Sequence, residues 1–294
     1  MTNKIVVSST SPYLSFVPTS FKSGAIEAFI SVWATTVVDE TITIPCQNVG
    51  TFNAVVDWGD TSPPETITTY NGFTHEYAAI GEHTISITGT FPNIYFAGGG
   101  DKLKLKRVTN LGTVGWTRFN NAFNGCVNLT EFTAGSTDTS AVTDINTMFG
   151  NCAGLTSVDV SSLDTSLVTS MLGVFANCYT LPSLDLSSFV TTNVTDMYVM
   201  FYQCNALTSI VGVEDFDITG LNSTGDLNLF LTSCKMTTPQ YDNLLVKWEA
   251  QASVIPAMTA SFGTSILTLG GAADTAKQSL INTYGWTVSD GVTP

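Results

Sequence analysis

The chain has 294 residues, 44% of them apolar and 12% charged, with a net charge of −14. That apolar content excludes a disordered chain. The acidic balance disfavours nucleic acid and anionic membranes as partners, and no apolar run reaches the about 18 residues that a transmembrane helix needs, so no membrane insertion is expected.

Residues 1–23 read as an extended arm, because Ser8-Ser9-Thr10-Ser11-Pro12 and Pro18-Thr19-Ser20 are turn formers. The arm is either a loose terminus or a docking segment for a larger assembly. Met1 to Ser8 lacks an apolar signal core of sufficient length, so the expectation is either that a leader has been removed or that the protein reaches its location by assembly. Residues 24–100 read as all-β, with strands at Ala25–Trp33, Glu40–Pro45, Phe52–Trp58, Glu65–Thr68 and His83–Gly89. Short alternating strands separated by polar turns predict a small sandwich.

Val56-Asp57-Trp58-Gly59-Asp60, followed by His75-Glu76-Tyr77 and Gly81-Glu82-His83-Thr84-Ile85-Ser86-Ile87, resembles the polycystic-kidney-disease (PKD) type of immunoglobulin-like domain. The resemblance implies a β-sandwich used as a spacer or binding module, without a reaction. Asp57 and Asp60 flank the Trp-Gly turn and are weak Ca²⁺ candidates; stabilising the turn is the alternative role. His75 and His83 are the two histidines of the chain, and both fall in this region. Lys102, Lys104, Lys106 and Arg107 then form a basic cluster in a connecting segment. It reads either as an anion contact or as a strand edge whose charges block aggregation.

From 111 to 236 a 26-residue period governs the sequence. Phe123, Phe149, Phe175 and Phe201 repeat in register, as do Cys126, Cys152, Cys178 and Cys204, and Leu129, Leu155, Leu181 and Leu207. A fixed period of this length means stacked units, none of which can bury its apolar face alone. A fifth, degenerate unit (Leu227, Phe230, Leu231, Cys234) fits only after four extra residues within Val211–Gly225. The spacing of Val168, Met171, Val174, Phe175 and Cys178 predicts a short helix in each unit, and Leu181-x-x-Leu184-x-Leu186 a short strand. Stacking would then give one parallel sheet backed by helical turns. The repeated cysteines lack metal-ligand spacing and read as buried thiols; a disulfide between adjacent units remains open.

Leu163-Asp164-Thr165-Ser166-Leu167-Val168-Thr169-Ser170-Met171 and Val174-Phe175-Ala176-Asn177-Cys178-Tyr179-Thr180-Leu181 resemble the BspA-type leucine-rich repeat. That family occurs in bacterial surface proteins and bacteriophage proteins, so the resemblance implies adhesion or protein binding. Strand alternation leaves Thr130, Glu131, Thr133, Thr156, Ser157, Asp159, Ser183, Asp185, Thr208 and Ser209 as the candidate binding face. An ordinary solvated sheet face is the alternative.

Residues 237–294 read as an α/β cap that closes the open end of the stack. Thr238-Pro239 starts one helix, Ser265–Leu269 is a strand, a second helix runs from about Ala272 to Thr283, and Trp286-Thr287-Val288 closes as a strand. The whole is expected to be mainly β with short helices: an Ig-like sandwich over 24–100, a repeat solenoid over 101–236 and the cap. No catalytic constellation and no cofactor are expected. The expected role is a non-enzymatic virion-surface protein: a bacteriophage fibre, decoration or receptor-binding component. Its partners would be other virion proteins, held through the arm or sandwich, and a host cell-surface protein or glycan. A homo-oligomer is compatible with this. The alternatives are a bacterial cell-surface adhesin and a purely structural spacer.

Overall fold

The computed structural model describes residues 27–223 and 225–291. The arm expected over 1–23, and Ala25 and Ile26 of the first expected strand, lie outside the described residues. The protein is mainly β with few short helices. The strands are β1 (Phe29–Thr35), β2 (Glu40–Thr43), β3 (Asn53–Asp57), β4 (Glu65–Ile67), β5 (Thr74–Tyr77), β6 (Gly81–Thr90), β7 (Leu105–Asn110), β8 (Glu131–Thr133), β9 (Ser157–Asp159), β10 (Ser183–Asp185), β11 (Ser209–Val211), β12 (Thr259–Ser261) and β13 (Thr287–Ser289). The helices are α1 (Thr238–Glu249) and α2 (Ala272–Asn282), with single 3-10 turns at Val213–Asp215 and Ala252–Val254.

A seven-stranded sheet runs in the order β4-β3-β6-β1-β7-β8-β9. It is antiparallel as far as β7 and parallel from β7 to β9. Alternation explains its inner face: Ala54 and Val56 of β3, and Ile85 and Ile87 of β6, are buried. The antiparallel pair β2–β5 packs on that face. His75 stacks on Trp58 with ring centroids 5.0 Å apart, and Tyr77 on His83 at 3.7 Å. Phe52 meets Phe73 at 5.6 Å.

The basic segment corrects one expectation. β7 is not an edge strand, because β1 pairs with one side of it and β8 with the other. Three of the segment's four cations, Lys102, Lys104 and Arg107, are occupied within the protein. Lys104 Nζ lies 3.1 Å from Glu40 and 3.0 Å from Asp101, Arg107 pairs with Glu82, and Lys102 Nζ donates to the Gly98 carbonyl. The Gly98 N–H in turn donates to Asn124 O at 3.0 Å.

The 26-residue units stack in register. Phe123, Phe149, Phe175 and Phe201 form a column of parallel rings at 5.7, 5.4 and 5.8 Å, all fully buried. The column ends at Phe230, which meets Phe201 edge-on at 80°. One continuous apolar core runs from Phe29 to Trp286.

The helix expected in each unit is absent: no helix lies between β8 and β11. Each segment makes single turns, such as Cys126 N–H to Phe123 O (3.0 Å) and Leu129 N–H to Cys126 O (3.0 Å). Alternate residues then donate to the next unit, as in Phe123 N–H to Met148 O (2.9 Å) and Gly125 N–H to Gly150 O (2.8 Å). The cause is two left-handed positions per unit. Asn121, Thr147, Gly173 and Val199 form one column with φ of 51–59° overall, namely 54°, 51°, 59° and 52°; Gly125, Asn151, Asn177 and Gln203 form the other at 81°, 59°, 62° and 58°. A left-handed residue ends a right-handed helix after one turn and redirects the following amides outward.

Two further details follow the sequence closely. The bond from Phe175 N–H reaches Met200 O, whereas that from Phe201 N–H reaches Phe230 O, a span longer by four residues. This is the insertion expected within Val211–Gly225. The single parallel sheet expected for the stack, however, is interrupted between β9 and β10. At one position of each unit a threonine amide donates across to the preceding unit: Thr130 to Lys106 O, Thr156 to Thr130 O (both 2.9 Å) and Thr208 to Pro182 O (3.1 Å). Pro182 occupies that position in the intervening unit and has no N–H to donate.

At the C-terminal end, α1 and α2 pack beside the parallel pair β12–β13. Pro239 sits in the first turn of α1, and Gly285, with φ of 72°, follows α2. The strand expected at Ser265–Leu269 is not formed, and the strand lies earlier, at Thr259–Ser261. Two polar groups of the expected strand are engaged elsewhere. Thr268 donates its N–H to Asp242 of α1 at 2.8 Å, and Ser265 Oγ accepts from Met236 N–H at 3.0 Å.

Candidate binding surface

The strand face expected from alternation forms over β8 to β11. Thr130, Glu131, Thr156, Ser157, Asp159, Ser183, Asp185 and Thr208 are exposed, while Thr133 and Ser209 are half-buried. Phe132, Leu184 and Ile210 point inward and are buried, and Val158 packs partly against the core. α1 covers the last unit in part, since Gln240 Nε2 donates to Ser209 Oγ at 3.1 Å.

Many polar groups of this face are already engaged. Thr156 Oγ1 donates to Thr130 O at 3.0 Å, and Thr130 and Thr208 make the equivalent contacts to Lys106 O and Pro182 O. Asp159 Oδ1 accepts from the N–H and hydroxyl of Ser161 at 3.0 and 2.7 Å. Asp185 Oδ1 accepts from Ser187 in the same way, at 3.0 and 2.6 Å. The Ser187 hydroxyl, then its amide, hold the Asp185 carboxyl below its ordinary range. Each carboxylate leaves its second oxygen outside these bonds.

Between the strands, Thr139, Thr165 and Thr191 are buried. Thr165 Oγ1 accepts from Val190 N–H at 2.8 Å and donates to Val190 O at 3.0 Å, and its equivalents repeat this with Asp164 and Asp217. The repeated thiols form a further column. Cys152, Cys178, Cys204 and Cys234 donate to Phe123, Phe149, Phe175 and Phe201 carbonyls at 3.1, 3.2, 3.0 and 2.9 Å. All six cysteines are free thiols. Burial raises Cys126, Cys152 and Cys178 above the ordinary thiol range, and neighbouring thiols raise Cys204 and Cys234.

An amide ladder along the turns was not anticipated. Asn177 Nδ2 donates to Asn151 Oδ1 and Asn151 Nδ2 to Asn124 Oδ1, both at 2.9 Å. Tyr179, 40% exposed, bonds to Asn177 and Gln203. The signal was present in the sequence: Asn151, Asn177 and Gln203 each stand immediately before a repeated cysteine.

The remaining chemical candidates serve turns and packing. Asp57 Oδ1 accepts from Gly59 N–H at 3.0 Å. Asp60 accepts from Ser62 N–H at 2.8 Å through one oxygen and meets His75 Nε2 at 2.8 Å through the other. The Ser62 hydroxyl, more than the His75 contact, depresses the Asp60 pKa to about 2. Among the described residues no three His, Cys, Asp or Glu side chains gather as a metal site. His83 Nε2 contacts Thr35 Oγ1 at 2.9 Å, and burial lowers its pKa. Tyr77 donates to Trp58 O at 2.7 Å.

The fold and surface thus define a mainly β protein whose middle part is a register-locked stack of 26-residue units. Residues 117–233, within that stack, match the family described as "Mycoplasma protein of unknown function, DUF285". No curated protein and no solved structure matches the chain.

Proposed function

We propose that this chain is a non-enzymatic surface protein in which a BspA-type leucine-rich-repeat solenoid presents its strand face to a host cell. A PKD-type sandwich precedes the solenoid and an α/β cap follows it. We place it on a bacteriophage virion, as a fibre, decoration or receptor-binding protein, with a host protein or glycan as ligand. One observation carries the reading: hydroxyl and carboxylate side chains recur in register across β8 to β10 on a largely exposed face. Repeat stacks supply such extended surfaces for binding. A second reading, a bacterial cell-surface adhesin, is favoured by the match of the repeats to a family described as mycoplasmal.

The test is attachment of the labelled full chain to intact bacterial cells, beside D159N/D185N. Asparagine keeps the oxygen that accepts from Ser161 and Ser187, so the turns survive while the charges go. The double variant is expected to attach about tenfold more weakly, a loss of roughly 1.4 kcal/mol. Equal attachment by both proteins would discard the strand face as the site. Attachment by neither would leave the spacer role.

A further inference from the structure

A cleft of about 390 Å³ opens between the loop joining β2 to β3 and the loop joining β4 to β5. It lies outside the repeats. We propose that this cleft binds a neutral saccharide, with Tyr70 as the stacking platform and Asn48, Thr51, Thr68, Thr69 and Asn71 as the hydroxyl-recognising groups. The proposal goes beyond the strand-face reading and does not depend on it.

The lining chemistry selects the ligand class. No charged side chain lines the cleft, which disfavours phosphates and other anions in a protein of net charge −14. The two asparagine amides each offer donors and an acceptor, and the three threonine hydroxyls offer both in one group. Sugar hydroxyls need this mixture, since each of them both donates and accepts. All five side chains are exposed, and none bonds to another protein group among the described residues. That contrasts with the strand face, where threonines and aspartates are already bonded. Tyr70 is 37% exposed and offers an aromatic face to the C–H side of a sugar ring. The volume falls within the range of roughly 300–1,000 Å³ usual for small-molecule sites.

The cleft is also built to hold its shape. Its floor is Phe52, 4% exposed and packed edge-on against Phe91 at 6.2 Å. One wall is fixed by Asn93, which is fully buried. Asn93 Oδ1 accepts from Gln47 N–H at 2.7 Å, and its Nδ2 donates to Val49 O at 2.9 Å. The other wall is closed by Gly72 N–H to Thr69 O at 3.2 Å. Walls held before binding reduce the ordering cost that weakens carbohydrate sites.

The experiment is saturation-transfer NMR followed by titration calorimetry on the full chain. The probes are glucose, galactose, mannose, N-acetylglucosamine, lactose and cellobiose, with galacturonic acid as the anionic arm. At least one neutral probe is expected to bind with a Kd of about 1 mM. Y70A and N71A are each expected to weaken it about tenfold. Both residues are exposed, so the melting temperature of each variant should match the wild type, and D159N/D185N should bind as the wild type does. Three results would each overturn the proposal: no neutral probe binding at up to roughly ten times that concentration, binding that survives both cleft substitutions, or binding of galacturonic acid alone. Loss of binding in D159N/D185N with Y70A unaffected would move the sugar to the strand face and sink the cleft assignment.

Discussion

Replacing Phe175 by alanine tests the column of rings on which the stack is built. Phe175 is fully buried and lies between Phe149 at 5.4 Å and Phe201 at 5.8 Å, with interplanar angles of 11° and 3°. Truncating a buried phenylalanine costs about 3–5 kcal/mol through lost transfer energy and the cavity left behind. Here the units above and below are also tied by backbone bonds such as Phe149 N–H to Val174 O at 2.8 Å and Phe175 N–H to Met200 O at 2.9 Å, so little collapse is available and the upper half of the range applies. With a urea slope of about 2 kcal/mol/M, the unfolding midpoint should fall by roughly 2 M. F175L keeps most of the apolar volume without the ring and should lose about half as much. Tryptophan fluorescence reports the transition from both sides, since Trp116 lies before the stack's rings and Trp248 after them. Exchange mass spectrometry should place the lost protection in the two units next to Phe175, because coupling in a stack is between nearest neighbours. A destabilisation below about 1 kcal/mol, or equal effects of Ala and Leu, would refute the packing argument.

Pro182→Thr supplies the missing donor between β9 and β10. The new amide should be protected from hydrogen exchange, while net stability moves by less than about 1 kcal/mol, because the added bond offsets the freedom returned to the unfolded chain; a freely exchanging amide would contradict the account of the sheet break. The pH dependence follows from Asp60, whose folded pKa is depressed from 3.8 to about 2. Such a group stabilises the fold above its unfolded pKa, and the contribution is lost as pH falls through the folded value. Acid melts should therefore weaken between about pH 4 and pH 2, and more shallowly in D60N; parallel wild-type and variant curves would count against it. The five repeat thiols should resist a disulfide reagent in the folded protein and react only on unfolding, since their raised pKa values and burial suppress the thiolate. Rapid native-state labelling of Cys152, detected by peptide mass, would show that the column is open to solvent.

The register of the stack was legible because it rests on identity. Phe, Cys and Leu columns spaced by 26 residues leave one way to align the units, and the four-residue insertion is visible in the same alignment. The conformation within each unit was not legible from apolar spacing. Val168, Met171, Val174 and Phe175 at intervals of three and four suit a helix, but they suit a run of single turns equally well. The deciding residues are those with positive φ, and only some are glycine or asparagine. Gly173, Asn151 and Asn177 advertise the left-handed region; Thr147 and Val199 do not, and take it because their neighbours in the column do. Pro182 could have been read, since a proline at a donor position of the sheet forbids the ladder there. The strand misplaced at Ser265–Leu269 shows the opposite limit. Its pattern is strand-like, but the Asp242 carboxylate takes the Thr268 N–H, and that competition is tertiary.

The acidity of the repeats also has a structural origin, which bears on the binding surface. Between 111 and 236 there are eleven acidic residues against Arg118 and Lys235. Seven of them, Asp138, Asp144, Asp159, Asp164, Asp185, Asp196 and Asp217, accept the backbone N–H two residues further on. This is the turn-closing geometry that Asp and Asn share. The negative charge therefore accompanies turn formation and is not by itself the signature of a basic ligand. The distinction can be measured on Asp159 and Asp185. If only the acceptor oxygen matters to the fold, D159N/D185N should keep its stability within about 0.5 kcal/mol of the wild type. D159A/D185A should lose about 1 kcal/mol per site, through the released Ser161 and Ser187 amides. Equal losses in the two thermal melts would mean that the carboxylate charge itself holds the turns, and attachment by the Asn variant could then no longer separate binding from folding.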